Sequence, residues 1–164
     1  MRTIWASTTH DAELNRSFSM WASMRIFSHP NGFPQATTMG VFNDDNKLIA
    51  VMVYHNYDAK AGVVEISGAA SDRRWLRKYV LQEMFATPFT DMGCQAVVMR
   101  VSPSREQRHI RRMLTSYGFT EHRIPRLRGR DEDECVFVLA DDEWRANGFH
   151  ASTDISHDTR DKAA

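Results

Sequence analysis

A chain of 164 residues fits one domain and is long enough to bury a real core. Lysine plus arginine number 21, and so do aspartate plus glutamate, so whole-chain charge gives no argument for an acidic partner; only its distribution can. The longest apolar run, Leu48 to Tyr54, has seven residues against the roughly 20 that span a bilayer, and no basic-then-apolar leader opens the sequence, so the expected compartment is the cytoplasm with no membrane partner.

Arg2 to Ala6 suits a short first strand, and Thr8 or Thr9 can cap a helix that begins near Asp11. Leu14, Phe18, Trp21 and Ile26 predict its apolar face through about Phe27, and His29-Pro30-Asn31-Gly32-Phe33-Pro34 breaks the chain as a loop. Thr38 to Phe42 and Lys47 to Tyr57 predict two strands around the turn-forming Asn43-Asp44-Asp45-Asn46, and Gly62 to Ala70 a third. Three strands with short links predict an antiparallel meander.

Asp72 to Ala86 is helical by period, because Leu76, Val80 and Met84 recur at four, and Thr87-Pro88 ends it. Ala96 to Val101 is a β-branched strand. Ser104 and Gln107 have capping-box spacing for a helix carrying Ile110, Met113 and Leu114, which Gly118 closes. Thr120 to Arg126 and Glu134 to Ala140 predict a last strand pair around a polar loop, Gly129 to Asp133. Residues 1–150 form the expected single domain, and 151–164, polar and aperiodic, a flexible tail. Cys94 and Cys135 lack ligand spacing, so they predict buried free thiols and no metal site.

A helix N-terminus that follows a strand carrying Glu65 places an anion site beside a possible general base. Strand neighbours Val64 and Ile66 predict a partly desolvated carboxylate. Tyr54, His55 and Tyr57 end the adjacent strand, where they can line a pocket, and His55 is a second candidate base. Arg73, Arg74, Arg77 and Lys78 crowd the first turns of the expected helix, where cations oppose the dipole unless an anion sits among them. Asp72 reads as the helix N-cap. Arg100 to Arg130 holds nine arginines against Glu106 and Glu121, enough to attract phosphates or nucleic acid, with Asp131 to Glu134 available to neutralise part of it. Aromatic residues are sparse there, which argues against a base-stacking platform. Trp5, Trp21, Trp75 and Trp144 read as core or lid contacts.

The order strand, helix, three strands, helix, strand, helix, two strands resembles the GCN5-related N-acetyltransferase (GNAT) superfamily over residues 1 to 145. The specific pieces are Glu65 before the cofactor helix, the segment Ala86 to Cys94, and the helix ending in Tyr117-Gly118-Phe119. Arg126 to Asp131, Val136 to Leu139 and Glu143-Trp144 look like the ribosomal-protein-acetylating branch. The resemblance implies an α/β (α+β) fold with a mixed, mostly antiparallel central sheet flanked by helices. It further implies an acetyl group moved from acetyl-CoA, the co-substrate, to an amine by direct attack. Glu65 takes the base position. Gly68, Ala69 and Ala70 hold thioester and pantetheine through their backbones. The family's phosphate-loop positions fall on Ala70, Arg73 and Trp75, so the loop takes another path or uses the side chains of Arg73 and Arg74, with Arg77 close by. The family's asparagine and tyrosine in the later helix fall on Gln107 and Leu114, which leaves Ser102, Ser104 or water to protonate the leaving thiolate. The acceptor stays open between a protein amine, a small amine and a base amine of nucleic acid, the last by similarity to phage-encoded members. A GNAT-shaped binding or structural protein without catalysis is the other class, and the chain is expected as a monomer or homodimer.

Overall fold

The structure, a computed structural model, describes residues 1–147. Among the described residues seven strands form a mostly antiparallel sheet flanked by helices in a mixed α/β fold, as the resemblance implies. The chain divides into two compact units, Met1–Asp58 with Val64–Thr87, and Ala59–Val63 with the residues from Pro88 onward.

In the first unit the strands run in the order β1 (Arg2–Ala6), β2 (Thr37–Phe42), β3 (Leu48–Asp58), β4 (Val63–Ala70). The first three pair antiparallel, with Ile4 opposite Gly40 and Gly40 opposite Val51. The turn between β2 and β3 reverses through Asn46 at φ 62°, a conformation asparagine tolerates. Helix α1 (Ala12–Phe27) is capped by Asp11, whose Oδ1 accepts from Leu14 N at 3.3 Å, and not by Thr8 or Thr9. Ser7 takes up the preceding turn instead, accepting from the backbone of Thr9 and His10.

The buried face of α1 also differs from the expected one: Asn15, Phe18, Ser19, Ala22 and Ser23 are inside, while Ile26 is exposed. Asn15 and Ser23 are satisfied there. Asn15 accepts from Thr38 Oγ1 at 2.8 Å and donates to Ala36 O, and Ser23 donates to His29 O and accepts from Gly32 N. Phe18 lies so close over Gly40 that a Cβ there would meet its ring at 2.5 Å, which fixes the spacing of α1 from β2. Phe18, Ala22, Phe33, Val51 and Val53 form the core on this side.

Helix α2 (Lys78–Ala86) is held by the other sheet face. Tyr54 Oη donates to Met84 O at 2.8 Å, and Glu83 accepts from Trp5 Nε1 at 2.5 Å and Thr3 Oγ1 at 2.7 Å. The expected helix from Asp72 is therefore two pieces: a 3-10 turn at Arg73–Trp75 capped by Asp72, then α2 six residues later than the period suggests.

The second unit holds β5 (Ala96–Val101), β7 (Glu132–Ala140) and β6 (Thr120–Gly129), in that spatial order and antiparallel. The hairpin is longer than predicted. Its register jumps between Ile124 and Gly129, so Pro125 to Arg128 bulge off the ladder, with Arg126 at φ 62°. Helix α3 (Arg108–Tyr117) begins after the predicted box: Gln107 is the N-cap without a side-chain bond, while Gly118 closes the helix at φ 125° as expected. A fourth helix, α4 (Asp141–Ala146), was not predicted. It seats Trp144, 1% exposed, on Phe89 at 5.1 Å between ring centres, with Nε1 donating to Tyr117 Oη.

Cys94 and Cys135 are buried free thiols, and burial pushes both thiol pKa values up. Among the described residues no helix is long and apolar enough to cross a membrane, and no three His, Cys, Asp or Glu side chains group as metal ligands. The expected tail at 151–164 lies outside the described residues.

Candidate functional site

Strand alternation decides what surrounds Glu65. Side chains on β4 point to opposite faces in turn, so Val64 and Ile66, 0% and 1% exposed, pack away from the carboxylate rather than flank it. What shelters Glu65 comes instead from β3. Asn56 Nδ2 donates to Glu65 Oε2 at 3.0 Å, and His55 Nε2 lies 3.9 Å from Glu65 Oε1. Asn56 sits at φ 51°, a local kink in β3 that turns its side chain toward the carboxylate. The side chains of Glu65 and His55 retain only 17% and 13% of their exposure.

His55 Nε2 is also 2.8 Å from Ser67 Oγ, and its ring packs against Phe33 with centres 4.9 Å apart. Phe33 continues to Phe27 at 5.4 Å, and Phe27 to His29 at 5.7 Å. The end of α1 and the predicted loop after it thus supply an aromatic wall that reaches His55. Ser67 and Glu65 both meet the same imidazole nitrogen, so the trio is not arranged as a hydrolase triad, in which the acid and the serine hold opposite ring nitrogens. The cluster can accept a proton at Glu65 and hold a cationic group against aromatic faces.

Glu65 and His55 are thus brought together. Tyr54 is not, because it is the alternate residue on β3 and donates to Met84 O on the opposite face, where burial pushes its phenol well above the usual tyrosine range. Tyr57 is exposed. Asn56, Ser67 and Phe33 escaped the sequence reading.

Gly68, Ala69 and Ala70 end β4. A Cβ on Gly68 would lie 2.6 Å from Met52 Sδ, and Ala69 packs against the α1-side core. In the following turn Arg74 is engaged with Asp72, Nη2 to Oδ2 at 2.6 Å and Nε to Oδ1 at 3.0 Å. The hydrogen bonds from Arg74, side chain first, hold the Asp72 carboxyl down at about 2. The acids of the β2–β3 turn also act here, Asp45 on Arg74 and Asp44 on Arg77. Arg73 and Arg77 form no ion pair among the described residues, and Trp75 is half-buried. Arg77, the N-cap of α2, makes no side-chain hydrogen bond to the first turn, which presents the positive end of the helix dipole.

Ser104 and Gln107 belong to the second unit. Ser104 N donates to Ser102 Oγ, and its carbonyl accepts from Arg111, so the segment is a tight turn ahead of α3. Ser102 donates to Glu132 Oε1 at 3.3 Å. Of the nine arginines, Arg100, Arg123 and Arg128 are paired with Glu132, Asp133 and Glu134, the acidic run expected to neutralise them.

No protein-family model matches the chain, and no curated protein matches its sequence. Solved structures do match its shape. A variant of spermidine N-acetyltransferase from Vibrio cholerae aligns with TM-score 0.63 and 11% identity over 88% of this chain and 97% of that one. A second variant of the same enzyme aligns with TM-score 0.58 and 12% identity, spanning 66% of each chain. The dodecameric form of that enzyme gives 0.57 and 12%, over 66% of this chain and 67% of that one. The chain has the fold of the GNAT acyl-CoA N-acyltransferases.

Proposed function

We propose that the protein is an N-acetyltransferase that moves an acetyl group from acetyl-CoA to an amine. The observation that carries this reading is the Glu65 carboxylate, held by Asn56 and neighboured by His55 and the Phe33 wall, on the strand that leads to the uncapped start of α2. Acetyl-CoA supplies an electrophilic thioester carbonyl with a thiolate leaving group. Arg73, Arg77 and the N-terminus of α2 would hold its phosphates, and the backbone of Gly68 to Ala70 its acyl arm. An acceptor ammonium gives its proton to Glu65, and the free amine attacks the carbonyl, forming the C–N bond as the C–S bond breaks. His55 positions Ser67 and fixes the side of the carboxylate that faces the acceptor. The acylated nitrogen then loses its surplus proton, which a water carries to the leaving thiolate. The Phe27, His29 and Phe33 wall suits an amine with apolar neighbours, protein or small molecule.

The test is thiol release from acetyl-CoA with a panel of amines, using the wild type and Glu65→Gln. The variant keeps the Asn56 contact and should lower kcat by about 10²–10⁴-fold with acetyl-CoA affinity unchanged. Equal rates for both proteins remove Glu65 from the mechanism.

One observation favours a second reading, a GNAT-shaped binding protein: Arg73-Arg74-Trp75 stands where the family keeps its phosphate glycines, with Arg74 turned onto Asp72. Calorimetry separates the two. Absence of binding at millimolar acetyl-CoA sinks the enzyme.

A further inference from the structure

The acidic run on β7 pairs with Arg100, Arg123 and Arg128. Arg105, Arg108, Arg111 and Arg112, in and just before α3, form no ion pair among the described residues. The helix has no acid in its first turn, so Arg108 and Arg111 oppose its dipole, and Arg108 and Arg112 repel at i, i+4. A merely solvated basic face would lose stability for nothing. A bound anion removes both costs.

Three of these arginines line an open surface groove. This groove of about 430 Å³ is lined by Arg108, Arg111, Arg112, Thr115, Ser116 and Glu121, all within the second unit. That volume lies in the range of small-molecule sites. One wall is preorganised: Arg111 Nη1 donates to Ser102 O at 2.6 Å and to Ser104 O at 2.7 Å, which fixes its guanidinium. Thr115 Oγ1 donates to Arg111 O at 3.0 Å, locking the next turn. Glu121 at the start of β6 adds an acceptor among the cations. An extended polyanion would be repelled by that carboxylate, and the groove has no aromatic face on which bases stack.

We propose that this groove is a binding site for a small phosphate ester that also carries hydroxyl or amine donors, its phosphate on Arg108, Arg111 and Arg112 and its donor on Glu121. The site shares no residue with the Glu65 cluster and stands whether or not the protein transfers acetyl groups.

The experiment is an NMR titration of the full chain with three probes: inorganic phosphate, ribose 5-phosphate and a short oligothymidylate. Ribose 5-phosphate should shift the amides of Thr115, Ser116 and Glu121, and Arg108→Ala with Arg112→Ala should weaken it by about tenfold or more, as loss of two charge-assisted contacts requires. Glu121→Gln should weaken ribose 5-phosphate while sparing inorganic phosphate. Arg25→Ala, at an exposed position of α1 in the other unit, should change nothing. The proposal fails if these amides do not move at ~10 mM probe, if the double variant binds as well as wild type, or if Arg25→Ala costs as much. Tighter binding of the oligothymidylate than of ribose 5-phosphate would overturn the small-ligand assignment in favour of a nucleic-acid surface.

Discussion

Glu134 offers the sharpest energetic test, because its partners differ from it in exposure. Its side chain is 4% exposed, while Arg100 and Arg128, at 3.3 and 2.8 Å from its two oxygens, keep 40% and 38%. Removing the acid leaves two guanidiniums that water can reach. Removing Arg128 leaves a carboxylate that water cannot reach, with only the longer Arg100 contact. Breaking a fully buried pair costs about 3–5 kcal/mol, and the partial exposure here with one surviving partner lowers that to about 2–3 for Arg128→Ala. Arg100→Ala, losing the weaker contact, should cost about 1–2, and Glu134→Gln about 1 kcal/mol, since the amide still accepts one bond. The double variant Arg128→Ala/Glu134→Gln should fall short of the sum by about 1 kcal/mol or more. Urea unfolding followed by circular dichroism measures all of them. If Glu134→Gln is as harmful as Arg128→Ala, or the pair is additive, burial of the carboxylate does not set the energetics and the reasoning is wrong.

Tyr117 is held at a phenol pKa of about 12 by burial, against a bond from Trp144 that pulls it down. The folded chain therefore keeps a proton that the unfolded chain releases near pH 10, so stability is whole below pH 10 and is lost as pH rises toward 12, by about 2–3 kcal/mol. Tyr117→Phe should flatten that decline in a urea-midpoint series while costing about 1 kcal/mol at neutral pH; an unchanged alkaline slope would acquit Tyr117. Gly40→Ala drives a methyl into the Phe18 ring and should cost about 1–3 kcal/mol of thermal stability, with a wild-type melting temperature as the contrary result. Asp72→Asn keeps a cap for the 3-10 turn yet frees Arg74, so acetyl-CoA should bind about two- to fivefold tighter by calorimetry. Weaker binding would mean that the turn's order matters more than its charge.

Strands were easier to read than helix starts, and α2 shows the reason. Leu76, Val80 and Met84 keep a period of four, but Leu76 lies in the non-helical link after the 3-10 turn, so periodicity ran past the true boundary at Lys78. In α1 the apolar pattern pointed partly outward, since Asn15, Ser19 and Ser23 are buried and look solvent-facing by type. The bonds that satisfy Asn15 and Ser23 come from residues 6 to 23 positions away, invisible to a local window. Helix α4 did carry a legible signal in its acidic first turn, Asp141-Asp142-Glu143. At the site, Glu65 and His55 were singled out separately, one by its strand and the other by its titration range. Asn56 and Ser67 join them only once β3 and β4 are placed side by side, and the kink at Asn56 that aims its amide is a backbone property that composition does not announce.

The turn at Arg73–Trp75 changes the physical means by which a phosphate would be held. Glycine loops present backbone amides that are already fixed when the ligand arrives, whereas long arginine side chains lose rotamer freedom on binding and work through charge. Charge acting from exposed side chains is screened within about 8 Å at physiological ionic strength. Acetyl-CoA affinity here should therefore drop more steeply with added salt than amide-based binding does, and Arg73→Ala with Arg77→Ala should flatten that dependence as well as weaken binding. Affinity that ignores salt in both proteins would place the phosphates on the first-turn amides of α2, and would make the arginines bystanders to the cofactor.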